Sequence, residues 1–159
     1  MEEHGRYVAV IGSGDPDPER DALAEAVGRA LAERSAIVVC GGLGGVMEAA
    51  CRGARAAGGV TVGLLPGADR AGANAHLSVA IPTGLGELRN GLIVRAADAV
   101  IAVGGGYGTL SEIGFALKTG RRVIGLGTWE LARGGEPATG IDVVVDPAEA
   151  VVRALAAAA

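Results

Sequence analysis

The stretch AVIAVGGGYGTLSE, residues 99–112, decides the fold of this chain. Its first five residues are an apolar run, which predicts a buried strand over 99–103. A glycine turn follows, and residues 109–119 then show the spacing of a helix that ends at Gly120. A buried strand, a glycine turn and a helix in this order are typical of one unit of a parallel α/β sheet.

The same unit recurs along the chain. Apolar runs predict six more strands, over 7–11, 37–39, 60–65, 77–81, 123–126 and 143–145. Helical spacing predicts helices that begin at Pro18 and cover 46–57, 86–96 and 147–157, while 67–75 and 133–140 are predicted as loops. Continuous apolar strands that alternate with helices indicate a mainly parallel sheet with helices on both faces. We therefore predict a three-layer, doubly wound α/β fold in a single domain spanning residues 1–159, with the strand order left open.

Composition narrows the classes of partner. The 159 residues carry a net charge of −4, and only 3% of them are aromatic. An acidic chain with few rings for stacking on bases disfavours nucleic-acid binding. No apolar stretch approaches the roughly 18 residues of a membrane helix, and the acidic start Met1–His4 is unlike a signal peptide. We therefore expect a soluble, cytoplasmic protein that binds no membrane.

Several common cofactor and metal motifs are missing. Cys40 and Cys51 are expected to be small buried residues, because their spacing matches neither a metal site nor a disulfide framework. Lys118 is the only lysine, so pyridoxal-phosphate chemistry, which needs a Schiff-base lysine, would depend on it alone. Neither GxxxxGK[ST] nor GxGxxG is complete, which leaves a P-loop and an ordinary NAD site unsupported. We predict no metal site and no required cofactor.

Three glycine clusters each follow a predicted strand and precede a predicted helix. The candidate ligand-binding residues in them are Gly12, Ser13, Gly14, Gly41, Gly42, Gly44, Gly45, Gly104, Gly105, Gly106, Tyr107, Gly108 and Thr109. In a parallel sheet these turns meet at one edge, beyond the carboxyl ends of the strands, where ligands bind. Glycine lets the backbone approach a ligand, and helix N-termini add free N–H groups and a positive dipole. We predict a phosphate site at this edge; the alternative is that each glycine only makes a tight turn.

Arg89 and Glu112 are the candidate catalytic residues. Glu112 is predicted one helical turn below the phosphate and facing the crevice, although Thr109 and Glu112 also fit a capping box. Arg89 precedes the strand that leads into the third glycine cluster. The alternative to a catalytic role is that it is a solvated surface arginine. An arginine that holds the phosphate or the leaving base, beside a carboxylate that stabilises an oxocarbenium ion or activates water, suits N-glycosidic cleavage.

Three other positions near the predicted edge have two interpretations each. Ser13 and Asp15 either contact a base or ribose or cap the following helix. Tyr107, inside the third glycine cluster, either covers the ligand or contacts a neighbouring subunit. Trp129 is expected to pack at the edge of a subunit or domain.

Residues 104–112 resemble the PGGxGTxxE signature of the LOG family, proteins once labelled lysine decarboxylases. The resemblance extends to 7–14, 40–66 and 89–103. It implies a Rossmann-like fold, a dimer or larger homo-oligomer, and cleavage of nucleoside 5′-monophosphates to free base and ribose 5-phosphate rather than lysine decarboxylation. It also implies that Arg89 and Glu112 are the catalytic pair, and that Gly105, Gly106, Gly108 and Thr109 form the phosphate loop.

Two positions depart from the signature of these hydrolases. Gly104 stands where the signature has proline, and Asn90 stands where the enzymes carry lysine next to the arginine. At both positions the sequence resembles a sister branch that includes the molybdenum-cofactor carrier proteins. That branch implies binding of a phosphorylated pterin without turnover, with Asn90 among the binding residues.

The sequence thus leaves three functions open. The first is a protein that binds a phosphorylated nucleotide or a molybdopterin-type cofactor. The second is a nucleoside 5′-monophosphate phosphoribohydrolase that uses Arg89 and Glu112. The third is an interaction protein whose glycines are purely structural. The resemblance further implies a dimer or tetramer, with the helix after Glu112 as an interface element.

Overall fold

In the computed structural model, which describes residues 5–156, the apolar runs form a seven-stranded sheet whose neighbouring strands are all parallel. The strands are β1 (Tyr7–Gly12), β2 (Ile37–Cys40), β3 (Thr61–Leu65), β4 (Val79–Pro82), β5 (Ala99–Val103), β6 (Arg122–Leu126), β7 (Ala132–Arg133), β8 (Glu136–Pro137) and β9 (Ile141–Val144), of which β7 and β8 pair separately as a hairpin. The helices are α1 (Pro18–Ala32), α2 (Val46–Ala56), α3 (Asn90–Arg95), α4 (Tyr107–Lys118) and α5 (Pro147–Leu155), and a 3₁₀ turn (Gly86–Arg89) precedes α3. The predicted doubly wound α/β fold is therefore confirmed.

The strand order β4-β3-β2-β1-β5-β6-β9 places the first strand at the centre of the sheet. From β1 the chain winds outward to β4, and from β5 it winds outward in the opposite direction to β9. The direction of winding reverses between β1 and β5, which lie side by side with Val8 paired to Ala99 and Gly12 paired to Val103. Ligands of open α/β sheets bind in the crevice at such a reversal.

The side chains of each strand point alternately to the two faces of the sheet, and they form two hydrophobic cores, one on each face. Val8 and Val10 of β1 pack on the face covered by α1, α2 and α5. Ala9 and Ile11 of the same strand pack on the opposite face, beneath α3 and α4. Because successive side chains of a strand point to opposite faces, one continuous apolar run serves both cores. The observed architecture thus has three layers.

The first helix begins later than the glycine turn and has its own cap. The carboxylate of Asp17 accepts hydrogen bonds from the N–H groups of Glu19 and Arg20, each 3.1 Å long, and Pro18 is the first helical residue. This is the usual arrangement at a helix N-terminus. The interpretation of Ser13 and Asp15 as caps of this helix was therefore wrong.

Several predicted segments differ from the observed ones, among them the strand predicted over 143–145, which is observed as β9 over Ile141–Val144. The predicted loop 133–140 contains the β7–β8 hairpin, whose turn residues Gly134 and Gly135 both have positive φ, as tight hairpin turns require. Strand β4 begins at Val79 rather than at 77, because Leu77 packs over Gly63 beside the buried cysteines. The predicted helix 86–96 begins as a 3₁₀ turn, and the predicted final helix extends to 157, outside the described residues.

Helices α1 and α2 pack at unusually close range through two glycines. A Cβ atom on Gly28 would lie 1.9 Å from the carbonyl oxygen of Ala50, and one on Gly53 would lie 2.0 Å from that of Glu25. Both obstacles are backbone atoms of the facing helix, so a side chain could be accommodated only by moving the helices apart. This contact fixes the position of α2, whose N-terminus reaches the crevice.

We predict that Gly28→Ala destabilises the fold by about 2 kcal/mol, as overpacking of a tight interface does. Gly114→Ala is the matched control, because Gly114 lies in an exposed helical position with no atom within 4 Å of its Cβ. There the gain in helix propensity should stabilise the protein by roughly 0.5–1 kcal/mol. Chemical denaturation of both variants measures the difference, and equal stability would contradict the packing argument.

Candidate functional site

A cavity of about 220 Å³ lies at the carboxyl ends of β1, β2 and β5, at the reversal of the sheet. It is lined by Val10, Ile11, Gly12, Ser13, Gly14, Gly41, Met47, Arg89, Asn90, Gly106, Gly108, Thr109 and Glu112. The three predicted glycine clusters therefore meet at one place. Both candidate catalytic residues line the same cavity.

Six of the predicted ligand-binding residues lie outside the lining, namely Gly42, Gly44, Gly45, Gly104, Gly105 and Tyr107. Gly45 has φ +60°, and a Cβ there would lie 2.3 Å from the carbonyl oxygen of Ser13, so it allows α2 to start against the first glycine turn. Gly42 packs on Leu65 in the same way. Most of the second cluster thus makes tight turns, which was the alternative that the sequence left open.

Gly104 and Gly105 face a different part of the molecule. Gly104 has φ +55°, and the side chain of Arg20 occupies the place of its missing Cβ. A proline cannot adopt this φ, because its ring holds φ near −65°. The departure from the PGG signature is therefore a real difference in the loop backbone.

The first turn of α4 presents unbonded N–H groups at the cavity. The first hydrogen bond within the helix runs from the N–H of Leu110 to the carbonyl of Gly106, at 3.0 Å. The N–H groups of the three residues before Leu110 therefore have no helical acceptor. Helix α2 starts at the same edge, where Met47 joins Gly106 and Gly108 in the lining. Two helix N-termini provide a positive potential suited to an anion.

Arg89 is buried, with only 8% of its surface exposed, so the interpretation as a solvated surface arginine was wrong. Its Nε donates to the carbonyl of Leu64 at 2.7 Å, and its Nη2 donates to the carbonyl of Gly41 at 3.3 Å. Burial lowers the pKa of the guanidinium, while the charge of Glu112 opposes that shift. The group stays charged because an arginine pKa lies far above neutrality.

Asn90 connects the arginine to the first turn of α4. Its Oδ1 accepts a hydrogen bond from Nη1 of Arg89, and its Nδ2 donates to Oγ of Ser111 at 3.3 Å. Ser111 in turn donates to the carbonyl of Gly108 at 2.6 Å. This chain of hydrogen bonds fixes the position of the guanidinium relative to the N-terminus of α4.

Glu112 is a buried carboxylate with 7% exposure. Helix α4 begins at Tyr107, so Thr109 is already inside it and the capping-box interpretation was wrong. Within residues 5–156 the carboxylate has no hydrogen-bond or ion-pair partner. Burial raises its pKa to about 7, and the positive charge of Arg89 only partly offsets this rise. At neutral pH the carboxyl group therefore exists in both protonation states.

Three residues that line the cavity were not predicted as site residues, namely Val10, Ile11 and Met47. Val10 and Ile11 lie in the strand itself, whereas the predicted site residues come from the turns. Met47 lies in the first turn of α2. Its position directly after a glycine cluster, at the edge shared by all three clusters, is the signal that could have identified it.

The remaining reactive groups lie apart from the cavity or pack beneath it. Cys40 and Cys51 are free, buried and in contact through their sulfur atoms at 3.5 Å. Lys118 is at the exposed end of α4 and does not line the cavity. No cluster of three or more metal-ligating side chains occurs between residues 5 and 156. Over the same range, no helix has the length and apolarity to cross a membrane.

A model of the SLOG cluster4 family matches residues 5–151. The chain belongs to this family. An uncharacterized protein of Archaeoglobus fulgidus is 46% identical to it over 119 residues, which cover 75% of this chain and 78% of the relative.

Two solved structures share the fold of this SLOG cluster4 protein over nearly their whole length. The molybdenum cofactor binding protein of Rippkaea orientalis has a TM-score of 0.85 and 31% identity, with 96% of each chain covered. The Moco carrier protein of Chlamydomonas reinhardtii has a TM-score of 0.82 and 32% identity, covering 94% of this chain and 95% of the other. The predicted Rossmann-like fold and the resemblance to the branch with molybdenum-cofactor carriers are thereby confirmed.

We predict that Glu112→Gln stabilises the protein at alkaline pH. The folded state keeps a proton on Glu112 up to pH about 7, whereas the unfolded chain releases it near 4.5. Stability therefore falls as the pH rises from 4.5 to 7, and the loss is complete above that range. At pH 8 the variant should be more stable by about 3 kcal/mol, or roughly 5–10 °C in Tm.

Thermal unfolding at pH 4 and pH 8 tests this expectation. At pH 4 the glutamine variant and the wild type should melt together, because both side chains are then neutral. Glu136→Gln, on the exposed β8 strand, is the control and should change stability by less than about 0.5 kcal/mol at either pH. A stabilisation by Glu112→Gln that is equal at pH 4 and pH 8 would rule out the burial of charge as its cause.

Proposed function

We propose that this protein binds a small phosphorylated ligand, a nucleotide or a pterin-type cofactor, in the cavity at the carboxyl edge of its sheet. The observation that carries the proposal is the coincidence of Arg89 with the open N-terminus of α4 in one cavity. A guanidinium and several free N–H groups are the donors that phosphate oxygens accept from most strongly.

The solved relatives support a cofactor-binding protein as the general class. The Rippkaea orientalis protein binds molybdenum cofactor, and the Chlamydomonas reinhardtii protein carries it. Asn90 and Gly104, the two departures from the hydrolase signature, support the same class. The chain would then bind its ligand without converting it, with the phosphate of a molybdopterin-type ligand in the cavity. The donors named above would contact the phosphate.

A carboxylate introduced at the phosphate site should abolish binding. In Gly108→Asp the new side chain has room, because the nearest side-chain atom to a Cβ there is Nδ2 of Asn90 at 3.8 Å. An aspartate in the first turn also favours the helix, so the fold should persist. Its charge would compete with the phosphate for the same N–H groups, and we expect affinity to fall at least about tenfold.

Calorimetry with inorganic phosphate, ribose 5-phosphate, AMP, GMP and a phosphorylated pterin measures the effect. Gly114→Asp adds the same charge to the same helix, at an exposed position with nothing within 4 Å. This control should bind as the wild type does. Equal affinity of Gly108→Asp and wild type for a ligand that binds would place the phosphate elsewhere, and the absence of binding by every ligand would refute the proposal.

Phosphoribohydrolase activity is the second candidate, and the protonation of Glu112 favours it. A carboxyl group with a pKa of about 7 can act as an acid or a base at neutral pH. In its protonated form it would give a proton to the departing base; in its ionised form it would activate the water that replaces the base at the ribose carbon. Arg89 would hold the phosphate and keep the ribose in place.

The hydrolase candidate predicts release of free base. Incubation of the protein with nucleoside 5′-monophosphates, followed by chromatography, should then show base and ribose 5-phosphate in equal amounts. Glu112→Gln should lose at least about 100-fold in rate, as removal of a general acid–base group does, while its affinity for ribose 5-phosphate remains. The absence of free base from every nucleotide would leave ligand binding as the function.

A homo-oligomer, a dimer or a tetramer, is part of the same proposal. Support comes from exposed apolar side chains beside α4. Leu88 is 81% exposed and Leu92 is 42% exposed. The buried apolar residues of α3 are Ile93 and Val94. An apolar surface at this position suits contact with a second copy of the chain.

A further inference from the structure

Two of the chain's four aromatic residues lie together on the outer side of the third glycine cluster. The rings of Tyr107 and Trp129 have centroids 5.6 Å apart and are tilted by 39°. The indole N–H donates to the carbonyl of Gly106 at 3.1 Å, which attaches Trp129 to the residue that precedes α4. We call this pair the aromatic ledge.

The ledge combines one fixed ring with one exposed ring. Trp129 is half-buried and packs against the core beneath α3 and α4. Tyr107 is 82% exposed, whereas Phe115, the other ring of α4, is 46% exposed. Its exposure has no role in the fold, because the core cluster beneath α4 is built from Ile113 and Ala116. An exposed ring beside a ligand cavity is available for stacking on a planar group.

The size of the cavity indicates that part of the ligand lies outside it. Its volume of about 220 Å³ is below the roughly 300–1,000 Å³ of pockets that enclose a drug-sized ligand. A phosphate with its sugar or side chain fits this space, whereas a complete nucleotide or pterin does not. A second depression, of about 430 Å³, lies on the other side of the same glycine loop. It is lined by Arg20, Gly104, Gly105, Thr128, Trp129 and Glu130.

The loop itself connects the two spaces. Gly106 lines the phosphate cavity and accepts the hydrogen bond from Trp129, while Tyr107 is the first residue of the helix whose N-terminus faces the phosphate. On the outer side Thr128 donates to the carbonyl of Gly104 at 2.6 Å, which holds the loop against the ledge. A ligand with its phosphate at α4 therefore has the ledge within one residue of the phosphate donors.

We propose that the planar heterocycle of the ligand stacks on the aromatic ledge of Tyr107 and Trp129, outside the cavity that holds its phosphate. This inference rests on the proposed binding of a phosphorylated ligand and adds the subsite that recognises its ring. Stacking accepts any planar heterocycle, so the ledge supplies affinity for the ring system. Arg20 and Glu130, at the edge of the adjoining depression, offer a donor and an acceptor to the ring's polar edge.

Trp129 reports on this contact directly, because it is the only tryptophan of the chain. The probes are GMP, which has a ring, and ribose 5-phosphate, which has none. GMP should quench the tryptophan fluorescence and bind at least about tenfold more tightly than ribose 5-phosphate. Ribose 5-phosphate should bind without quenching. Calorimetry supplies the affinities and fluorescence titration supplies the quenching.

Substitutions of Tyr107 separate the ledge from the phosphate site. Tyr107→Ala should weaken GMP about tenfold and leave ribose 5-phosphate unchanged, and its exposure makes loss of the fold unexpected. Tyr107→Phe should restore GMP affinity, because the ring and not the hydroxyl makes the contact. Tyr7→Ala, which removes the other tyrosine at the opposite end of the sheet, is the matched control and should bind both probes normally.

Two results would overturn the inference, and they differ from each other. Equal affinities for GMP and ribose 5-phosphate, or unchanged GMP affinity in Tyr107→Ala, would refute stacking on the aromatic ledge but not binding at the phosphate site. Failure of both probes to bind the wild type would refute the phosphate site and the ledge together.

Discussion

The missing side chain of Gly12 is the constraint on which the site depends. A Cβ atom there would lie 2.6 Å from the carbonyl oxygen of Val103 and 2.7 Å from the Cβ of Val46. The end of β1, the end of β5 and the start of α2 therefore meet at one point, and only glycine allows this approach. Because the winding of the sheet reverses between β1 and β5, this contact lies at the crevice. The N-termini of α2 and α4 face one cavity as a result of it.

The charged groups inside that cavity are not paired with each other. The guanidinium of Arg89 donates to the backbone at Leu64 and Gly41 and to Asn90, and within residues 5–156 it forms no ion pair. Burial raises the pKa of Glu112 to about 7, so at neutral pH its charge neutralises that of the arginine only in part. Buried charges are usually paired because unpaired ones are costly. An anion bound as proposed would reduce the energetic cost of burying Arg89 beneath two helix N-termini.

Much of this arrangement could be predicted from the sequence, and the failures have physical causes. Strand β5 and the following glycine turn were predicted because an apolar run and a glycine cluster are local signals. The strand order was not, since pairing depends on packing between distant segments. The apolar spacing predicted one helix over 86–96, yet the segment begins as a 3₁₀ turn in which Leu88 is exposed. Local spacing also could not show that Gly104 and Gly105 face away from Gly106, because single φ angles decide the direction of each residue.

The two departures from the hydrolase signature change the scaffold of the site and leave its charged pair in place. Asn90 accepts a hydrogen bond from Arg89, which a lysine cannot do, because an ammonium group has no acceptor and repels a guanidinium. Asparagine in place of lysine thus removes a second positive charge and connects Arg89 through Ser111 to the first turn of α4. Gly104, at φ +55°, gives the loop a backbone that proline cannot form and makes room for Arg20. A site with one fixed cation and a rigid loop suits retention of a ligand, since rigidity lowers the entropy lost on binding. Turnover would need in addition a carboxyl group that changes protonation state beside the scissile bond, and Glu112, with a pKa of about 7, is the carboxyl group that lines the cavity.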